Sequence, residues 1–374
     1  MMPLPDDVRL MSADDHIIEP AHLWVDRVPA KYRDSCPRIV EQDDGTEAWL
    51  FDGELAVTFM GSCRPLPGFE DLYAARYDQM RPGCYDPVAR IADMDLDRVQ
   101  AQLCFPNYAR FAGHRFFMNV SDRELALACL QTYNDYLLDE WCATAPDRLF
   151  GAAILPLNDI DAAVRELRRV IDKGASAIAF SENPTVIGLP SVHTDHWDPL
   201  WAIASEAGLP VCMHIGSSSK MVNTSDDAPP TVLVSLNGVN SMMAAVDWLQ
   251  SRTLERFPTM KVVLSEGGAG WIPYILERAE KAFHDHRISR KEPRDRSPRE
   301  RFTEQMYVCM VDEYFALRSL GDIPVDNLLW EGDYPHGDGL FPHNHEYLEK
   351  ALADVAVDDA RKIVETNFTS VFTR

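Results

Sequence analysis

Paired cysteines are missing from this sequence. Its eight cysteines, at positions 36, 63, 84, 104, 129, 142, 212 and 309, are scattered singly with no CxxC among them. That excludes a zinc ribbon and a dense disulfide framework. Several lie inside apolar runs, such as Cys104 in AQLCF and Cys212 in PVCMH, and read as small buried hydrophobes in a reducing compartment. The opening MMPLPDDVRL is acidic and has no signal-peptide apolar core, so a cytoplasmic protein is expected. No apolar run reaches the ~18 residues that a bilayer span needs, and no membrane partner is expected. Basic charge is scarce: 36 Lys and Arg stand against 59 Asp and Glu, for a net charge of -23. The densest basic run, RISRKEPRDRSPRERF at 287–302, is broken by acids and prolines and reads as a solvated connector. A nucleic-acid partner is therefore not expected. Internal repeats and low-complexity tracts are absent. SEGGAG lacks the spacing and the following Lys-Ser/Thr of a phosphate-binding loop, and the serines lack the setting of a nucleophile elbow.

What is present is alternation. The chain has 374 residues, 46% hydrophobic and 25% charged, a soluble globular balance with ample length for a large core. Eight short apolar runs read as strands, over 8–14, 99–106, 149–156, 175–181, 209–215, 260–266, 306–311 and 327–333. Most are continuous, as expected for parallel strands buried on both faces. Amphipathic helices are predicted between them, such as 159–174 with its acidic start and Gly stop, and 198–208 opening on Asp-Pro and closing on Gly. Eight such repeats predict an α/β fold, a (β/α)8 TIM barrel, with 1–374 as a single domain. The first two strands are far apart. Residues 20–92 form a long insertion with hairpin-like text and Asp-Gly turn signals. It is expected to be a lid or a subunit interface at the barrel mouth.

Chemistry in such barrels gathers at the C-terminal strand ends. The first strand runs VRLMSADDHIIEP. Asp14 and His16 are two residues apart and so point to one face, while Asp15 points to the other. The fifth strand ends on His214, the sixth on Glu266 and the eighth on Asp333. Ligand-type side chains thus converge from four strand ends on one mouth. His336 follows in DYPH, where a hydrogen bond to the ligand set is one reading and a direct role the other.

The segments SADDHIIEPAHLW, HWDPLWAIASEAGLPVCMHIG, VVLSEGGAGWIPYILERAEK and LLWEGDYPHGDGLFP resemble the amidohydrolase-2 branch of the amidohydrolase superfamily. That branch contains metal-dependent hydrolases and the aminocarboxymuconate-semialdehyde and hydroxybenzoate decarboxylases. The resemblance implies metal ligands at Asp14, His16, His214 and Asp333. It departs on the sixth strand, where the family's decarboxylases carry a histidine used in proton transfer and this chain has Glu266. The fourth strand lacks the bridging lysine of two-metal relatives, and Glu182 in FSENP is a weak substitute.

These readings lead to one divalent transition metal per chain, bound by Asp14, His16, His214, Glu266 and Asp333. Two histidines with several carboxylates favour iron(II) or manganese(II), with zinc as the alternative. The expected activity is hydrolysis of an acyl group on a small-molecule substrate by a metal-activated water, with Asp333 as base and Glu266 and His336 assisting. The argument is that a metal-bound glutamate stays ionised and protonates carbon poorly. The alternative is non-oxidative decarboxylation of an aromatic or muconate-type acid. A homodimer is expected.

Overall fold

A computed structural model describes residues 4–5, 7–56, 63–66, 76–118, 120–286 and 295–372. Eight parallel strands form the barrel: β1 (Leu10–Ile17), β5 (Val99–Pro106), β6 (Leu149–Ala153), β7 (Ala177–Ser181), β8 (Val211–His214), β9 (Val262–Ser265), β10 (Met306–Met310) and β11 (Leu328–Trp330). They pair in the order β1-β5-β6-β7-β8-β9-β10-β11. The predicted eight strands and the barrel class are therefore those observed, though most strands are shorter than their apolar text. β11 stops at Trp330, so Glu331 and Asp333 lie just beyond it. β1 runs further than expected, to Ile17, and carries Asp14, Asp15 and His16 inside the strand.

The register aligns the strand ends. Ser181, His214 and Ser265 lie side by side across β7, β8 and β9. The seam between β1 and the end of β11 is closed by two backbone bonds, from Asp333 N to the Asp14 carbonyl (3.0 Å) and from His16 N to the Tyr334 carbonyl (2.6 Å). Ser12 Oγ accepts a third bond from Gly332 N at 2.7 Å. The closure of the barrel thus brings Asp14 and Asp333 together.

In the insertion, β2 (Arg38–Glu41), β3 (Glu47–Phe51) and β4 (Glu54–Ala56) make a small antiparallel sheet. The turn from β3 to β4 has Asp52 at φ 48° and Gly53 at φ 80°. Two left-handed residues in a two-residue loop match the twist of the flanking strands. Trp49 of β3 packs 4.6 Å from the ring of Tyr108 and 5.1 Å from Trp24. Tyr108 follows β5 at its C-terminal end, so this part of the insertion stands beside the mouth. Within the insertion, residues 57–62 and 67–75 lie outside the described residues.

Two readings of the chain are corrected here. The basic run at 287–302 lies outside the described residues over 287–294. Its end is not a solvated connector: Ser297 and Glu300 form a reciprocal cap on the helix Pro298–Gln305, and Arg301 is fully buried, donating to the Leu249 carbonyl at 2.5 Å. A buried guanidinium needs such acceptors to offset its desolvation. The second correction concerns Pro230–Gln250, which is long and apolar enough to cross a bilayer by length and composition. Here it forms two helical pieces, Pro230–Ser235 and Asn237–Gln250, and Ala244, Ala245, Trp248 and Leu249 of the second are buried in the protein core.

Candidate metal centre at the barrel mouth

The pairing of β1 with β5 is irregular between Ser12 and Asp15. Past this irregularity the two aspartates part, as their spacing predicts. Asp15 Oδ1 accepts from Gln102 Nε2 at 3.0 Å and from Tyr334 N at 2.9 Å. Asp14 turns to His16 and His214, with Oδ1 3.5 Å from His16 Nε2 and Oδ2 3.4 Å from His214 Nε2. The two Nε2 atoms are 3.1 Å apart. Glu266 Oε2 is 3.0 Å from His214 Nε2, and Asp333 Oδ1 is 3.3 Å from His16 Nε2. His336 stacks on His16 with ring centres 3.8 Å apart and sets its Nδ1 2.8 Å from Asp333 Oδ1. The five residues predicted as ligands, and His336, are thus gathered in one place.

The donor chemistry fits a cation. Asp14, His16, His214 and Asp333 are buried. Both Asp14 oxygens lack a hydrogen-bond partner, a costly state for a buried carboxylate without a counter-charge. His214 Nδ1–H donates to the Ile215 carbonyl at 2.6 Å, which leaves Nε2 as a lone pair facing inward. Asp14, His16 and His214 can supply ligand atoms all within 4.8 Å of one another, and so can His16, Asp333 and His336.

The electrostatics are those of buried acids crowded together. Burial, then Glu331, Asp333 and Glu266, push the Asp14 carboxyl well above its usual range. Burial pushes His214 down to about 4, and burial with the neighbouring His336 pushes His16 well down. Asp333 is the exception. Burial alone would raise it, but the imidazoles of His336 and His16 hold it below the usual carboxylate range.

Backbone strain marks two of these positions. Glu266 sits at φ 58° and Asp333 at φ 51°, a left-handed conformation that costs a non-glycine residue of order 1–3 kcal/mol unless its surroundings hold it. The neighbours explain the hold. Glu331 Oε2 accepts from Glu266 N at 3.0 Å. At Gly267 a Cβ would fall 1.8 Å from Ser241 Oγ, so only glycine can follow Glu266 here.

Several residues escaped the sequence reading. Glu331 is fully buried beside the cluster; it lies two residues before Asp333, the spacing that singled out Asp14 and His16. Phe111 lays its ring 3.9 Å from His214 and 5.0 Å from His16. Asn107 meets His336 Nε2 at 3.0 Å. Arg90 is fully buried and donates to the carbonyls of His16 (2.6 Å) and Gly83 (2.7 Å), fixing the end of β1 from behind. Nothing in the text around Phe111 or Arg90 distinguishes them from ordinary loop and helix residues. Glu182 falls away as a ligand: the hydroxyls of Ser217 and Ser218 and the amide of Asn240 all donate to it, which holds it as a structural carboxylate.

A family model for amidohydrolases matches residues 21–372. This chain belongs to the amidohydrolase family. Among curated proteins it is similar to gamma-resorcylate decarboxylase of Rhodococcus jostii (strain RHA1), 27% identical over 271 residues that cover 68% of this chain and 79% of that one. Its fold is similar to that of an amidohydrolase from Mycobacterium avium subsp. paratuberculosis, with a TM-score of 0.77, 21% identity and 98% and 99% of the two chains covered. It is also similar to a dihydroxybenzoic acid decarboxylase from Polaromonas sp. JS666, solved with manganese and 2-nitroresorcinol, with a TM-score of 0.63, 18% identity and 98% and 97% covered.

These likenesses overturn the expectation of acyl hydrolysis. The similar proteins of named activity are decarboxylases. Counting only the protein's own groups, burial, Asp333 and Glu331 push the Glu266 carboxyl well above its usual range, so an ionised Glu266 depends on a cation beside it.

Proposed function

We propose that this amidohydrolase is a metal-dependent, non-oxidative decarboxylase of a hydroxylated aromatic or muconate-type carboxylic acid. The observation that carries the reading is the coincidence of the His16–His214–Asp14–Asp333 cluster with similarity to gamma-resorcylate decarboxylases over two-thirds of the chain. Asp14, His16, His214, Glu266 and Asp333 would hold one divalent metal, and the manganese of the Polaromonas protein makes manganese the first choice. Such an ion supplies Lewis-acid polarisation of substrate oxygens.

The chain's own residues supply the rest. Decarboxylation breaks the bond from carbon to carboxylate; the electron pair stays on carbon and takes a proton as carbon dioxide leaves. The Asp333–His336 pair, 2.8 Å apart, holds that proton beside the metal ligands. Phe111, against both imidazoles, gives an aromatic ring an apolar face. Arg64, brought by the insertion, donates to the Gly339 carbonyl, and its buried Nε has no hydrogen-bond partner. It is the cation we assign to a substrate carboxylate. The insertion then acts as a lid, excluding water from the carbon to be protonated.

The test is a panel of 2,6-dihydroxybenzoate, 5-carboxyvanillate and muconate-type acids, assayed with manganese in deuterium oxide. The expected result is carbon dioxide release with one deuterium at the carbon that lost the carboxylate. No release across the panel by manganese-loaded protein would overturn the reading.

A further inference from the structure

Three residues beyond His16, at the start of the insertion, Glu19 is fully buried. Its carboxylate accepts three consecutive backbone N–H groups: Asn107 at 3.2 Å, Tyr108 at 2.7 Å and Ala109 at 3.0 Å. Its own carbonyl accepts from the Tyr77 hydroxyl at 2.5 Å. Successive N–H groups aimed at one point form an anion cradle, here filled from within the chain. The result is a tie between the end of β1 and the loop that follows β5, both at the mouth.

That loop carries two groups into the site. Asn107 Nδ2–H donates to His336 Nε2 at 3.0 Å. With Nε2 accepting, the imidazole must keep its proton on Nδ1, and Nδ1 is the atom 2.8 Å from Asp333. Phe111, four residues on, covers His214. A glutamine at 19 keeps the shape but turns an N–H2 donor toward N–H donors, leaving at least one of the three buried and unpaired.

We propose that Glu19 is a positioning residue: by anchoring the 107–111 loop it sets Asn107 on His336 and so keeps the imidazole proton on Nδ1, the nitrogen nearest Asp333. Its catalytic consequence rests on the decarboxylase reading; the tautomer itself does not. The experiment compares wild type, Glu19→Gln, Asn107→Ala and the double variant, with folding checked by circular dichroism. Nitrogen-15 NMR of histidine-labelled, metal-free protein reads the His336 tautomer. Both single variants are expected to move His336 from the Nδ1–H form toward a mixture. In the loaded enzyme, kcat is expected to fall by about tenfold with KM changed by less than about twofold, in the range seen when a ligand's outer partner is lost. The double variant is expected to lose no more than the worse single one. A wild-type His336 spectrum in Glu19→Gln, or single losses that multiply in the double variant, would overturn the proposal. If Glu19→Gln does not fold, amide exchange in wild type decides: slow exchange at 107–109 supports the anchor, and exchange at free-loop rates removes it. A wild type inert toward carboxylic acids would count against the decarboxylase reading and leave the NMR and exchange results to decide the role of Glu19.

Discussion

Strands β1 and β9 are equally buried and oppositely composed. Every residue of both is shielded from solvent. β9 is VVLS, ordinary barrel filler, while β1 is LMSADDHI. The contrast sharpens within β1, where Asp14 and Asp15 are adjacent and both fully buried. Asp15 accepts from Gln102 and Tyr334 through Oδ1 and leaves Oδ2 unpaired, whereas neither oxygen of Asp14 has a hydrogen-bond partner. Burial therefore does not separate structural acids from functional ones; the partner does. An acid that protein donors bind holds the barrel together. An acid with only imidazole lone pairs and other carboxylates around it is built for a cation.

This comparison can be broken at four points. The largest effect is expected at the seam. Asp333→Asn should lower turnover by about 10²–10⁴-fold, the usual range for a group that moves a proton, with little change in melting temperature. A residual rate within about threefold of wild type would take Asp333 out of the chemistry. Next is β9, where Leu264→Ala should cost about 2–5 kcal/mol in denaturant unfolding and leave metal content per folded chain unchanged. Loss of metal there would mean that filler and site are not separable.

Asp15→Ala comes third. It strands Gln102 and the Tyr334 N–H, so about 1–3 kcal/mol should be lost while elemental analysis still finds about one metal per chain. If Asp15→Ala emptied the site as Asp14→Ala is expected to, the two aspartates would share one role. The smallest effect is a slope. The Asp14 carboxyl is raised well above its ordinary 3.8. As pH rises past that value the unfolded chain releases the proton and the folded chain holds it, so the carboxyl progressively lowers the stability of metal-free protein. Asp14→Asn should flatten this decline in a series of melting curves between pH 5 and pH 8. An identical slope in both proteins would show that other groups cause it.

Much of the site was legible before any coordinates. A strand alternates its side chains, so Asp14 and His16 had to share a face and Asp15 had to leave it. Ligand-type residues ending apolar runs pointed to His214, Glu266 and Asp333. The same spacing rule, applied to the last strand, would have flagged Glu331. Glu19, Asn107 and Phe111 were less accessible, because their partners lie 88, 229 and 103 residues away in the chain. The choice of reaction rested on Glu266 standing where the family's decarboxylases carry histidine, and the similarity to decarboxylases overturns it. One residue type on one strand does not set the reaction, because the state of that carboxyl depends on what the other strand ends bring beside it.

By itself, the sequence determined the eight-strand alternation, the long insertion after the first strand and which acids and histidines end the strands. Periodicity and strand ends are local properties, set by the geometry of one residue to the next. Only the tertiary structure decided that Asp333 N bonds the Asp14 carbonyl and brings the two aspartates together. It also decided that Glu19 anchors a loop from the neighbouring strand, and that, among the described residues, buried acids outnumber buried cations. These are properties of the closed barrel, because burial and charge compensation exist only once distant strand ends share one space.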